Sequence, residues 1–146
     1  MRISPVLTAG VSAAIAAGML LAGCGGSGSE RAAGFAKRIT TEFSRGQAQR
    51  LWVDLLPAQQ RIATKARFLA CQGNQGFSLQ RIKVLETYDE PVEIERKADD
   101  ATAVTLQVSS TDGLTTATMH AIKLDGRWRW ILSPAQIDAY KSGKCP

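Results

Sequence analysis

From Val6 to Ala22 the chain carries no charge and is mostly Ala, Val, Leu, Ile, Met and Gly. That run suits the apolar stretch of a secretory signal and is marginal for a membrane-spanning helix. After it the apolar positions change period. Ala32, Phe35, Ala36, Ile39 and Phe43 recur at helical spacing, with Ser29 as a fair N-cap and Gly46 as a natural stop. Ala48, Leu51, Trp52 and Leu55 mark a short second helix. A third is expected to start at Pro57 and run to Cys71, with Ala58, Ile62, Ala66 and Leu69 on its inner stripe.

Beyond Gly73 and Gly76 the period falls to two. Leu79–Glu86 alternates apolar with polar, and a bent extension over Pro91–Glu95 follows an acidic turn. Ala101–Ser109 alternates with Val104, Leu106 and Val108 on one face. Thr111-Asp112-Gly113 and Asp125-Gly126 are hairpin signals. They bound strands over Leu114–Leu124 and Arg127–Leu132, and Ser133-Pro134 begins a short terminal helix through Tyr140. Helices followed by an antiparallel meander predict an α+β fold, the N-terminal helices packed on a curved sheet.

The start of the chain also carries an address. Met1-Arg2 supplies positive charge before the apolar run, and Leu21-Ala22-Gly23-Cys24 resembles the lipobox of bacterial lipoproteins. That resemblance implies acylation of the Cys24 thiol and cleavage after Gly23. The small residues suit a narrow protease cleft, and the thiolate is the strong nucleophile of the segment. The expected organisation is a signal peptide over 1–23, a lipidated cysteine with a Gly/Ser tether over 24–29, and a domain over 30–146. Localisation follows: an acyl anchor in the cell membrane with the domain on its extracytoplasmic face.

Composition narrows the function. Of 18 basic side chains only Arg2 lies in 1–23, so 17 basic against 13 acidic residues remain, a net charge of +4. Residues 30–83 hold ten basic and three acidic side chains, and residues 84–100 hold seven acidic and two basic. A basic face beside a membrane can meet anionic head groups, and the plainer reading is a solvated face. Nucleic acid is not an expected partner, because the basic residues do not interleave with exposed aromatics. Besides Cys24 the chain has Cys71 and Cys145, which in an exported domain most economically form one disulfide. The alternative is two free thiols. One His and two cysteines at this separation match no zinc spacing, and no cofactor motif is present.

The element order, Leu51-Trp52 before Leu56-Pro57, Phe68-Leu69-Ala70-Cys71, and above all Leu124-Asp125-Gly126-Arg127-Trp128-Arg129-Trp130-Ile131, resemble the nuclear transport factor 2-like superfamily. More narrowly the chain resembles small actinobacterial lipoproteins carrying such a domain. The resemblance implies a cone with a hollow between sheet and helices. It does not fix an activity, since this fold hosts isomerases, cyclases, dehydratases and binding modules.

Within such a hollow the candidate chemistry is thin. His120 shares strand parity with Thr118, Ile122 and Leu124, which would turn it to the concave side as a general base. Asp54 and Tyr88 are the other candidates, and no spacing fixes any two of the three together. Trp52, Phe68 and Trp130 are candidate pocket-lining residues, although strand tryptophans are more often core anchors. Arg127 and Arg129 share a face that could join Arg61, Lys65 and Arg67. The leading expectation is a non-enzymatic module for a small apolar or amphipathic ligand or an envelope protein. A small cavity enzyme using His120 or Asp54, or a structural envelope domain, is the alternative.

Overall fold

The computed structural model describes residues 27–73 and 76–146. The signal run, the cleavage point and Cys24 lie outside these residues. Five helices and four strands follow in the order α1 (Gly28–Ser44), α2 (Ala48–Asp54), α3 (Pro57–Gln60), α4 (Lys65–Gln72), β1 (Leu79–Ile94), β2 (Lys97–Ser110), β3 (Gly113–Leu124), β4 (Arg127–Trp130) and α5 (Pro134–Lys141). Among the described residues no helix is long and apolar enough to cross a membrane.

Helix α1 starts earlier than expected. Ser27, not Ser29, is the N-cap: its hydroxyl accepts from the Glu30 N–H, and the Glu30 carboxylate takes the Ser27 N–H at 2.9 Å. This reciprocal box satisfies two otherwise unpaired donors of the first turn. Gly28 and Ser29 are therefore helical, which removes them from the tether. The helix buries Ala32, Phe35, Ala36 and Ile39.

The expected third helix is broken in two. Arg61–Ala63 form a turn, and Thr64, in an extended backbone conformation, starts α4. The carbonyl of Ala63 accepts the Trp52 indole N–H at 2.9 Å. A hydrogen bond to a tertiary donor thus fixes a break that side-chain periodicity alone does not show.

The sheet is a pure antiparallel meander in the order β1-β2-β3-β4. Strand β1 is continuous where a break at an acidic turn was expected. Its register with β2 shifts between Val84 and Glu86. This bulge absorbs Leu85, which is exposed, and resets the alternation. Pro91 is tolerated because β1 is an edge strand and its missing N–H breaks no ladder. Glu95 and Arg96, both at positive φ (50° and 67°), make the β1–β2 turn. Asp125 and Gly126 (50° and 76°) make the β3–β4 turn that the sequence announced.

The helices cover one face of the sheet. Ala32 and Ala36 of α1 pack on Val104 and Leu106 of β2, with Ile82, Val84 and Met119 around them. A second cluster joins Phe35, Ile39, Leu51, Leu55 and Phe68 to Ala121, Trp130, Leu132 and Tyr140. Trp130 ties the two halves together. Its indole N–H donates to the Leu51 carbonyl at 2.7 Å, its own carbonyl accepts from Leu56 N–H at 3.0 Å, and its ring stands edge-on to Phe43. Helix α5 opens with a capping box between Ser133 and Gln136. Behind it, Cys71 and Cys145 are joined in a disulfide with their Cα atoms 5.2 Å apart.

Candidate functional site

A cleft with an apolar wall lies between the C-terminal half of α1 and the helix-facing side of the sheet. It has a volume of about 470 Å³ and is lined by Thr40, Phe43, Phe77, Leu106, Val108, Met119 and Trp130, with Ser133 and Gln136 of the α5 start at one end. Alternation along the strands explains its chemistry: Leu106, Val108, Ala117 and Met119 point to the same side in paired register. β3 pairs with β4 only over Ala121–Leu124. From Gly113 to Met119 its far edge has no strand beside it, and the cleft opens along this edge.

Of the three expected lining residues only Trp130 lines the cleft. Phe68 is fully buried behind it, against Trp130 and Tyr140. Trp52 is held on the opposite side by Ala63, with the Lys65 ammonium over its ring. The aromatic lining that sequence reasoning missed is Phe43 and Phe77. Phe43 carried a signal, since it ends the α1 stripe. Phe77 stands alone between Gly76 and Ser78 and carried none.

His120 is among the residues that line the rim of the cleft, but its side chain is turned away from the helix-facing wall. Its strand neighbours Met119 and Ala121 pack into the core, so its side chain is on the outer face, at the rim where β4 ends. There its imidazole contacts the Glu90 carboxylate of β1. The two reach each other across β2 because the residues between them are Ala101 and Ala103, both buried under the bridge. Tyr88 lies on the same face, 40% exposed.

Asp54 is elsewhere again. Its carboxylate accepts from Arg38 at 2.7 Å, and the same guanidinium nitrogen donates to Glu42 at 2.9 Å. Desolvation works against the Arg38 charge, but the hydrogen bonds it donates to Asp54 and Glu42, with their charges, outweigh it and raise its pKa. Asp54 therefore braces α1 against α2 and is no neighbour of His120. The basic residues do not converge either. Arg61 pairs with Glu95, and Arg129 donates to the Val53 carbonyl at 2.6 Å. Among the described residues no three His, Cys, Asp or Glu side chains gather as metal ligands do.

With helices segregated on one face of a curved antiparallel meander and a hollow between them, the architecture can be compared with solved structures. A Campylobacter jejuni protein described as an NTF2-like transpeptidase superposes with a TM-score of 0.50 at 13% identity, over 68% of this chain and 96% of that one. The fold is NTF2-like. No protein-family model and no curated protein matches the chain. At this identity the likeness extends to the fold and not to the chemistry of the neighbour.

Proposed function

We propose that this NTF2-like domain is a non-enzymatic binding module, held by acyl chains on Cys24 at the extracytoplasmic face of the cell membrane, that takes a small apolar or amphipathic ligand in the cleft. The observation that supports the reading most is the lining. Phe43, Phe77, Leu106, Val108, Met119 and Trp130 form an apolar wall, while Thr40, Ser133 and Gln136 offer neutral polar groups at its margin and Asp112 and His120 stand at the rim. That combination is what a small-molecule site requires. An enzyme needs two titratable groups within reach of one bound substrate. Here Asp54 lies away from the cleft in a pair with Arg38, and His120 at the rim is paired with Glu90; Asp112 also borders the cleft.

The test is native mass spectrometry of the protein purified from an exporting host, with displacement of the naphthalene dye ANS as a second readout. A stoichiometric adduct or saturable dye uptake is expected, lost in Ala117→Trp, which fills the cleft from an exposed position. A bare protein that takes up no dye would sink the reading. The anchor is tested separately: Cys24→Ala should move the protein from the membrane fraction to the soluble one.

A further inference from the structure

We propose that two copies of this chain join edge to edge through β3, making one continuous eight-stranded sheet. The proposal is independent of the ligand reading and rests on the backbone. The Asp125-Gly126 turn makes Leu124↔Arg127 the closing pair, and Ile131 N–H donates to the His120 carbonyl at 3.1 Å. Residues 120, 122 and 124 thus turn their N–H and C=O toward β4. By alternation Leu114, Thr116 and Thr118 turn theirs the same way, where β4 no longer runs. The pairing Ser110↔Gly113 at the other hairpin fixes the same parity from the opposite end. Six backbone groups therefore form an unused edge, and none has a protein partner among the described residues.

The two outer edges of the sheet are treated differently. β1 carries Arg81, Lys83, Glu86, Glu90, Pro91, Glu93 and two register shifts, the usual guards against strand pairing. β3 from Gly113 to Met119 reads Gly-Leu-Thr-Thr-Ala-Thr-Met, with no charge, no proline and no bulge. Leu114 on this edge is 64% exposed.

The occupant that fits is the same strand in antiparallel sense. With Thr116 on a twofold axis, Thr116 faces Thr116, Leu114 faces Thr118 and Thr115 faces Ala117 of the second copy. All three outward-bonding residues then fall in hydrogen-bonded pairs, with no like charges opposed. The same register leaves the backbone of residue 120 to Ile131, so the pairing between copies ends at Leu114 and Thr118. It also brings the second copy's Met119 and Ala117 along the open side of the cleft, which one copy leaves unwalled.

The test is oxidative crosslinking of the full chain in exporting cells, using Thr116→Cys, Leu114→Cys and Thr118→Cys. A hydrogen-bonded pair has Cα atoms about 5.5 Å apart, within disulfide reach. Like residues two positions off the axis are displaced by roughly 13 Å along the strand, beyond it. T116C should give a covalent dimer at least tenfold more abundant than L114C or T118C alone, and coexpressed L114C and T118C should crosslink to each other. Thr116→Pro, whose lost N–H belongs to no ladder within one copy, should abolish the L114C–T118C crosslink while an intact Cys71–Cys145 disulfide reports a folded domain. Equal crosslinking at all three positions, none at T116C, or a crosslink indifferent to T116P would overturn the proposal. Dye uptake by a strictly monomeric protein would overturn it and leave the ligand reading standing.

Discussion

The two faces of the sheet are built from the same strands and do opposite things. The helix-facing side alternates Val84, Leu106, Met119 and Trp130 into a packed core that thins into the cleft. The outer side carries Thr118, His120, Tyr88 and Glu90, and its buried positions are the alanines Ala101 and Ala103. Apolar bulk on one face holds the fold together. Small residues on the other let long polar side chains meet across an intervening strand. The single histidine therefore bridges strands on the outer face, at the rim of the cleft.

The sharpest way to separate the faces is to damage each in turn. Trp130→Ala removes the anchor shared by both halves and strands the Leu51 carbonyl; it should cost about 3–5 kcal/mol in denaturant unfolding. Unfolding at the wild-type midpoint would mean that the packed face is not where stability resides. Replacing Cys71 and Cys145 together by Ser opens a closure spanning 74 residues of sequence. In the chain-entropy model that costs roughly 4 kcal/mol, with the cleft and its ligand uptake retained.

Ala103→Leu tests the outer face, since it overfills a fully buried position beneath the bridge. A loss of about 1–3 kcal/mol is expected, with the His120–Glu90 contact broken. Glu90→Gln removes only the charge of a partly exposed pair, and should cost less than about 1 kcal/mol. A larger loss would assign the outer face a structural role comparable to the core. The smallest effect concerns Tyr140, where burial raises the phenol pKa against the opposing influence of Gln72 and Arg67. Its contribution is present below the ordinary tyrosine range and is lost as pH rises through the elevated value. Wild type should therefore lose stability above about pH 10 more steeply than Tyr140→Phe.

The contrast also explains what the sequence could and could not disclose. The period-two strands, both glycine hairpins, the Ser133 cap and the packed tryptophans of β4 were legible because each is written locally. The Glu95-Arg96 turn was not, since it takes positive φ without glycine or asparagine. The bulge at Leu85 flips the parity of half a strand, and the α3–α4 break depends on an indole from another helix. The parity that groups His120 with Thr118 and Ile122 was read correctly, but which face it marks is decided by Met119 and Ala121 packing under α1. The Glu90 partner, 30 residues away, follows only from register and from alanine between.

The order of the strands has a consequence for how the chain gets there. Each strand pairs with the next one along, through turns of two residues. The sheet can zip from its hairpins outward with little loop-closure entropy at each step. Several of the hydrogen bonds that join the helical half to the sheet meet at one place: the Leu51 carbonyl and the Leu56 N–H both bond Trp130, with the Cys71–Cys145 bond behind them. Docking of the helical half onto the sheet closes the longest loops and is the step expected to set the folding rate. Oxidation of the two cysteines becomes a latch that shuts only after that docking has succeeded.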